Sequence, residues 1–277
     1  MQIETARELI ALNNRFYAEH AASFSATRSA PWEGWRRLLA LLRDYGPRGS
    51  QEVAEDTGVI DNAGPAQPYT VLDLACGNLR FEQFLAQELN KAPLHIHAVD
   101  SCPALAQEVD LATASLAYHE IDVLDALLGE CGDQLLDDVP PCGLTVCFGF
   151  MHHVPGTALR HELLRKLVEA TAPGGIIAIS FWRFMDDDRL ARKATETACL
   201  ASEQPPFPGY DPASLDKNDH FLGWQHDPSP LRYCHHFTDA ELDELVASVS
   251  GKAKEVLRYD ADGASGTLNR YLVLERI

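Results

Sequence analysis

The sequence predicts an α/β fold built on a mostly parallel sheet with helices on both faces, and three observations carry that expectation. From Tyr69 onward, apolar runs of strand length alternate with amphipathic stretches of helical period. Three of those runs end at a carboxylate: Asp73, Asp100 and Asp122. Two more apolar runs close the chain, which brings the expected sheet to seven strands.

The elements follow in chain order. Residues 2–19 carry Ala6, Ile10, Leu12 and Phe16 at roughly helical spacing, and residues 32–43 place Trp35, Leu38, Leu39 and Leu42 on one helical face. Residues 1–45 therefore read as an N-terminal helical lid. Residues 46–68, rich in Gly, Pro, Asp, Asn and Gln, read as a loop, and residues 69–277 as the main domain. Within it, strands are expected at 70–74, 94–99, 118–121, 144–150 and 176–181, with helices at 81–89, 103–116 and 157–172. Pro173-Gly174-Gly175 reads as a turn into the fifth strand. An insertion at about 184–230, first charged and then Pro-rich, follows that strand; it reads as a substrate-side lid or as a surface loop. A helix at 239–248 and strands at 253–259 and 269–275 complete the chain.

Composition narrows the function. A chain of 277 residues, 46% hydrophobic, buries a substantial core. The first residues offer neither a basic n-region nor an apolar h-region, and no apolar run reaches membrane-spanning length, so a soluble cytoplasmic protein without a membrane partner is expected. The cysteines, at 76, 102, 131, 142, 147, 199 and 234, lack CxxC spacing and fit buried thiols in a reducing compartment. The pairs His95/His97, His152/His153 and His235/His236 form no HxxxH with an acidic third ligand, so no metal is expected. A net charge of −18, from 23 basic and 41 acidic residues, disfavours unaided nucleic-acid binding, because phosphates are held largely by Lys and Arg. A local basic patch or a basic partner subunit would have to supply the positive field.

Strand, acid, glycine turn and helix in succession admit an adenosine-containing ligand at the carboxyl edge of an open sheet. The turn here has Gly77 alone, between Ala75 and Leu79, and lacks GxGxxG. It suits a ligand without phosphates and disfavours an NAD-dependent oxidoreductase. Any one of the aspartates reads equally well as a helix N-cap; three in register make the signal.

At these residues the chain resembles the class I S-adenosylmethionine-dependent methyltransferases, a Rossmann-like family. VLDLACGNLRF is similar to the family's first motif, HAVD to its second, EIDVLD to its third, LTVCFGFMHHV to its fourth and APGGIIAISFW to the strand beyond. The family usually has glycine where Ala75 and Leu79 stand. The resemblance implies S-adenosylmethionine as cofactor, with Asp73, Ala75 and Gly77 facing the methionine moiety. It likewise implies Asp100 on the ribose, Asp122 at the adenine amino group, Val123 beside the ring and Phe150 lining the site. His152 and His153, closing the fourth strand, are candidates for a general base or for packed histidines that shape the substrate pocket.

A narrower resemblance lies outside that core. FYAEHAASFSATRSAPW and LRYCHHFTDAEL resemble segments of the tRNA wobble-uridine carboxymethyl methyltransferases, which generally work with a small activating subunit. The likeness implies Tyr17, Arg28 and Trp32 over the cofactor and Arg232, Tyr233 and His235 on the substrate side, with Arg232 and Tyr233 gripping an acceptor carboxylate; Trp32 and Arg183 are also candidates for substrate contact. The acidic charge, Cys234 in place of an aromatic and the Pro-rich insertion depart from that group's pattern. The alternatives are a methyltransferase for a small metabolite and a catalytically silent cofactor-binding subunit.

Overall fold

The chain was analysed as a computed structural model that describes residues 1–45, 69–89, 93–106, 111, 114–129, 132–225 and 227–277. The expected loop at 46–68 lies outside the described residues, as do Cys131 and much of the helix expected at 103–116.

Two helices open the chain, α1 (Ile3–Ala26) and α2 (Glu33–Tyr45). The first three strands are β1 (Tyr69–Leu74), β2 (Leu94–Asp100) and β3 (Ala114–Glu120), with α3 (Arg80–Glu88) after the first. A short helix α4 (Val123–Leu128) precedes β4 (Cys142–Cys147), α5 (Thr157–Ala170) and β5 (Thr171–Trp182). The insertion then forms α6 (Asp188–Glu203), β6 (Asp219–Trp224) and β7 (Asp227–His235). Helix α7 (Asp239–Ser248) leads to β8 (Ala253–Ala261) and β9 (Asn269–Arg276).

Seven strands make one sheet in the order β3-β2-β1-β4-β5-β9-β8; β6 and β7 pair separately. The strands β1 to β5 are parallel to their neighbours, whereas β9 runs antiparallel to both β5 and β8. This is the doubly wound α/β architecture. The direction of winding reverses between β1 and β4, and a crevice opens beyond the carboxyl ends of strands at such a point.

Alternation along β1 explains the layers. Leu72 and Leu74 join one apolar cluster with Leu163, Leu167 and Leu242, while Val71 joins another with Trp35, Leu38, Phe81 and Phe84. A third cluster stands apart from the sheet, where Leu9 and Leu12 of α1 meet Phe207, Phe221, Leu231 and Tyr233 of the insertion. No described helix is long and apolar enough to cross a membrane.

The structure corrects several local expectations. Residues 114–116 belong to a strand rather than to a helix, because pairing with β2 outweighs the helical propensity of an Ala- and Leu-rich stretch. Pro173-Gly174-Gly175 lies inside β5, at a register shift against Cys142 and Leu144, and Gly174 supplies the positive φ of 75°. At six residues α4 is too short to show a period, and the inserted strands are recognised only by their partner.

Candidate functional site

The turn after β1 is built from alternating left-handed residues: Ala75 at φ 64°, Gly77 at 57° and Leu79 at 56°. Outside glycine that conformation costs about 1–2 kcal/mol per residue. Leu79 is nonetheless 3% exposed and packs with Cys76 and Ala98, so its side chain anchors the turn from below and stays off the cleft lining. A Cβ at Gly77 would meet nothing within 4 Å, because that face of the turn looks into open cleft.

Three strand-end carboxylates surround this turn. Asp100 accepts from the backbone N–H of Gly77 at 2.9 Å and of Cys102 at 2.8 Å, which fixes its carboxylate at the cleft wall. Burial raises its pKa, and those N–H groups oppose the shift. Asp122 caps α4 through Oδ1, accepting from Leu124 and Asp125, while its Oδ2 accepts from Asn14 Nδ2 on α1 at 2.6 Å. Asp73 is 2% exposed, and burial together with the neighbouring Glu82 pushes its pKa well above the carboxylate range.

From here a cleft of about 940 Å³ runs beneath α1 to a second group of side chains, a size typical of small-molecule sites. Tyr17 Oη lies 2.8 Å from His153 Nε2, and His153 Nδ1 lies 2.8 Å from the Tyr233 carbonyl oxygen. A carbonyl only accepts, which assigns the His153 proton to Nδ1 and makes Nε2 the acceptor of the Tyr17 hydroxyl. Asn13 completes the junction: its Nδ2 donates to the Tyr233 carbonyl at 3.1 Å and its Oδ1 accepts from the Tyr233 N–H at 2.7 Å. Burial first, then Arg232, lowers the His153 pKa to about 3; burial and His153 hold His152 neutral as well.

Two guanidiniums share this end. Arg28 lies over Phe24 at 3.6 Å, and Arg232 is ringed by Trp182, Trp224 and Phe16 at 5.2 to 5.4 Å. Among the described residues neither forms an ion pair, and Arg232 Nε is buried without a hydrogen-bond partner. Burial, with Tyr17 opposing it and Arg232 adding to it, lowers the Arg28 pKa to about 10, so it remains charged at neutral pH.

His152, His153 and Cys234 bring three metal-ligating atoms within 4.8 Å of one another. Both His153 nitrogens are already engaged, burial pushes the Cys234 thiol up to about 12, and two guanidiniums stand near, so the set is a poor host for a cation.

The cleft thus collects Tyr17, Arg28, Trp32, Asp73, Ala75, Gly77, Asp100, Asp122, Phe150, His152, His153 and Arg232 of the residues singled out in the sequence. Four others lie elsewhere. Neighbours on a strand face opposite ways, so with Arg232 toward the cleft, Tyr233 and His235 turn into the protein. The Tyr233 hydroxyl donates to Asp219 at 2.7 Å and accepts from Arg160 at 3.0 Å; His235 is wholly buried between Asp219 and Glu241. Arg183 pairs with Asp186 and Asp239, and Val123 is buried in the core while Leu124 lines the cleft. Asn13, Asn14, Trp182 and Glu82 escaped notice in the sequence. Asn13 had a readable signal, a polar residue on the same helical stripe as Leu9 and Phe16.

No protein-family model matches the chain, and no curated protein matches it in sequence. Solved structures do. One is a SAM-dependent methyltransferase from Anabaena variabilis ATCC 29413, 14% identical, covering 97% of this chain and 95% of that one at a TM-score of 0.51. Another is a pericyclic reaction enzyme, 12% identical, covering 90% of this chain and 49% of that one at 0.52. A third is the N-methyltransferase NodS from Bradyrhizobium japonicum WM9 in complex with S-adenosyl-L-homocysteine, 11% identical over 96% and 97% at 0.49. At such identities the likeness is one of fold.

Proposed function

We propose that the chain is an S-adenosylmethionine-dependent methyltransferase whose acceptor is the carboxylate of a small organic acid. A fold shared by methyltransferases and a pericyclic enzyme does not choose the chemistry, so the reading rests on the site. One observation carries it: a single cleft joins a phosphate-free adenosine-type turn, bordered by Asp73, Asp100 and Asp122, to the half-buried Arg28 and the buried Arg232, neither of which has a carboxylate partner among the described residues.

The residues present fit that cofactor. Gly77 faces open space, Asp100 is held rigid with lone pairs to spare for ribose hydroxyls, and Asp122 borders the place where an adenine amino group would be read. When bound, the cofactor supplies an electrophilic methyl group on a sulfonium. The work of the chain is alignment and exclusion of water. Arg28 and Arg232 would hold the acceptor carboxylate, and the aromatic walls of Phe24, Trp32 and Trp182 would flank its body. No proton has to be removed from a carboxylate. That matches a site whose histidines are kept neutral, with His153 lowered to about 3 and its Nε2 already accepting from Tyr17.

A small acid is favoured over the carboxymethyl group of a tRNA nucleotide because a net charge of −18 gives no general attraction for a phosphate backbone. Calorimetric titration with S-adenosylhomocysteine and with NAD tests the cofactor; binding of the first and not the second is expected. Binding of neither would overturn the proposal.

A further inference from the structure

Asp73 lines the cleft and is 2% exposed, and Glu82, on α3 behind it, is fully buried. Asp73 Oδ1 and both Glu82 carboxyl oxygens are buried with no donor from any other described residue. Two carboxylates can only accept, so the pair is satisfied when a proton sits between them. Among the described residues, the groups facing the pair add no cation. Asp100 reaches it from the end of β2, and the thiols of Cys76 in the turn and Cys147 at the end of β4 border it; all three are acids. A cationic ligand would bring to this corner a positive charge that none of its described neighbours supplies.

We propose that Asp73 and Glu82 form a proton-sharing pair at the floor of the cleft, and that the pair's ionisation, which leaves one shared proton and one negative charge, sets how strongly the site prefers a cationic cofactor over the neutral product left after methyl transfer. The inference rests on the cofactor reading above. S-adenosylmethionine carries a sulfonium charge that S-adenosylhomocysteine lacks. The buried negative charge that ionisation leaves beside the turn therefore stabilises the first ligand more than the second. Glu82 thereby acts as a specificity-determining residue without touching the ligand. Burial pushes the Glu82 pKa up to about 7 while Asp73, raised well above the carboxylate range, keeps its proton, so the pair passes from two protons to one shared proton in the neutral range.

The experiment measures dissociation constants for both ligands by calorimetry from about pH 5.5 to about pH 8.5, in the wild type and in Glu82→Gln. In the wild type the affinity ratio favouring S-adenosylmethionine is expected to rise roughly three- to tenfold across that range. In Glu82→Gln the carboxamide donates permanently to Asp73, and the ratio is expected to stay within roughly twofold. The ligands' own amino groups titrate alike in both proteins, so the difference between proteins reports the pair. A ratio that is flat in the wild type, or that rises equally in the variant, overturns the inference while leaving the cofactor reading intact. Absence of binding by either ligand overturns that reading instead.

A ligand-free measurement accompanies it. An acid raised from its ordinary 4.5 to about 7 stabilises the fold most below the lower value and loses that contribution as pH rises to the upper one. Thermal melts of the ligand-free wild type should therefore fall relative to Glu82→Gln between those two values. Parallel curves for the two proteins contradict the shared proton.

Discussion

The two ends of the cleft are made in opposite ways. The turn end is local: Ala75, Gly77 and Leu79 are consecutive alternate residues, and their backbone N–H groups and nearby strand-end carboxylates define the surface. The guanidinium end is assembled from afar, with Tyr17 and Arg28 from the first helix and the turn after it, His153 from beyond β4 and Arg232 from the inserted hairpin. Backbone shape is the currency of the first and side-chain charge that of the second. A substitution at one end is thus expected to spare the other.

The largest separation is expected at Arg232→Gln. Removing one guanidinium from a buried carboxylate contact costs about 2–5 kcal/mol, so methyl transfer to an acid acceptor should fall roughly thirtyfold or more. Affinity for S-adenosylhomocysteine, measured by calorimetry, should change little; a comparable loss there would merge the two ends into one. A smaller effect is expected at Tyr233→Phe, which leaves Asp219 and Arg160 short of a partner. Chemical denaturation should show a loss of about 1–3 kcal/mol, with turnover of the folded enzyme unchanged. A turnover defect without a stability defect would return the Tyr233 hydroxyl to the site. The smallest is Ala75→Gly. Releasing a left-handed alanine, less the entropy glycine adds to the unfolded chain, should stabilise by up to about 1 kcal/mol in the same assay. A destabilised variant would show that the Ala75 methyl packs rather than strains.

This contrast also explains what could be read from the sequence. Strands β1, β4 and β9 were legible because buried parallel or central strands are largely apolar runs, and α7 starts where it was expected, behind the capping box of Thr238 and Glu241. The carboxylates Asp73 and Asp100 announced themselves at the ends of β1 and β2, and Asp122 just beyond β3. At the far end, Arg232, Tyr233 and His235 looked like a unit, yet only Arg232 faces the cleft. Whether a strand residue points in or out depends on a partner strand, and β6 has no apolar run long enough to reveal itself. Glu82 was invisible for another reason: its importance comes from what stands opposite it, not from its place in α3.

The clasp between Asn13 and the main chain of Tyr233 has a consequence for how anything enters. The helix α1 and the inserted hairpin share their own apolar cluster, separate from those flanking the sheet, and the two Asn13 bonds stitch them across it. Neither piece can swing outward alone without leaving a buried amide and a peptide group unpaired. Uncovering the guanidinium end is accordingly a single cooperative event, in which helix and hairpin leave the sheet as one foldon, and their amide hydrogens should exchange with solvent together and ahead of β4 and β5.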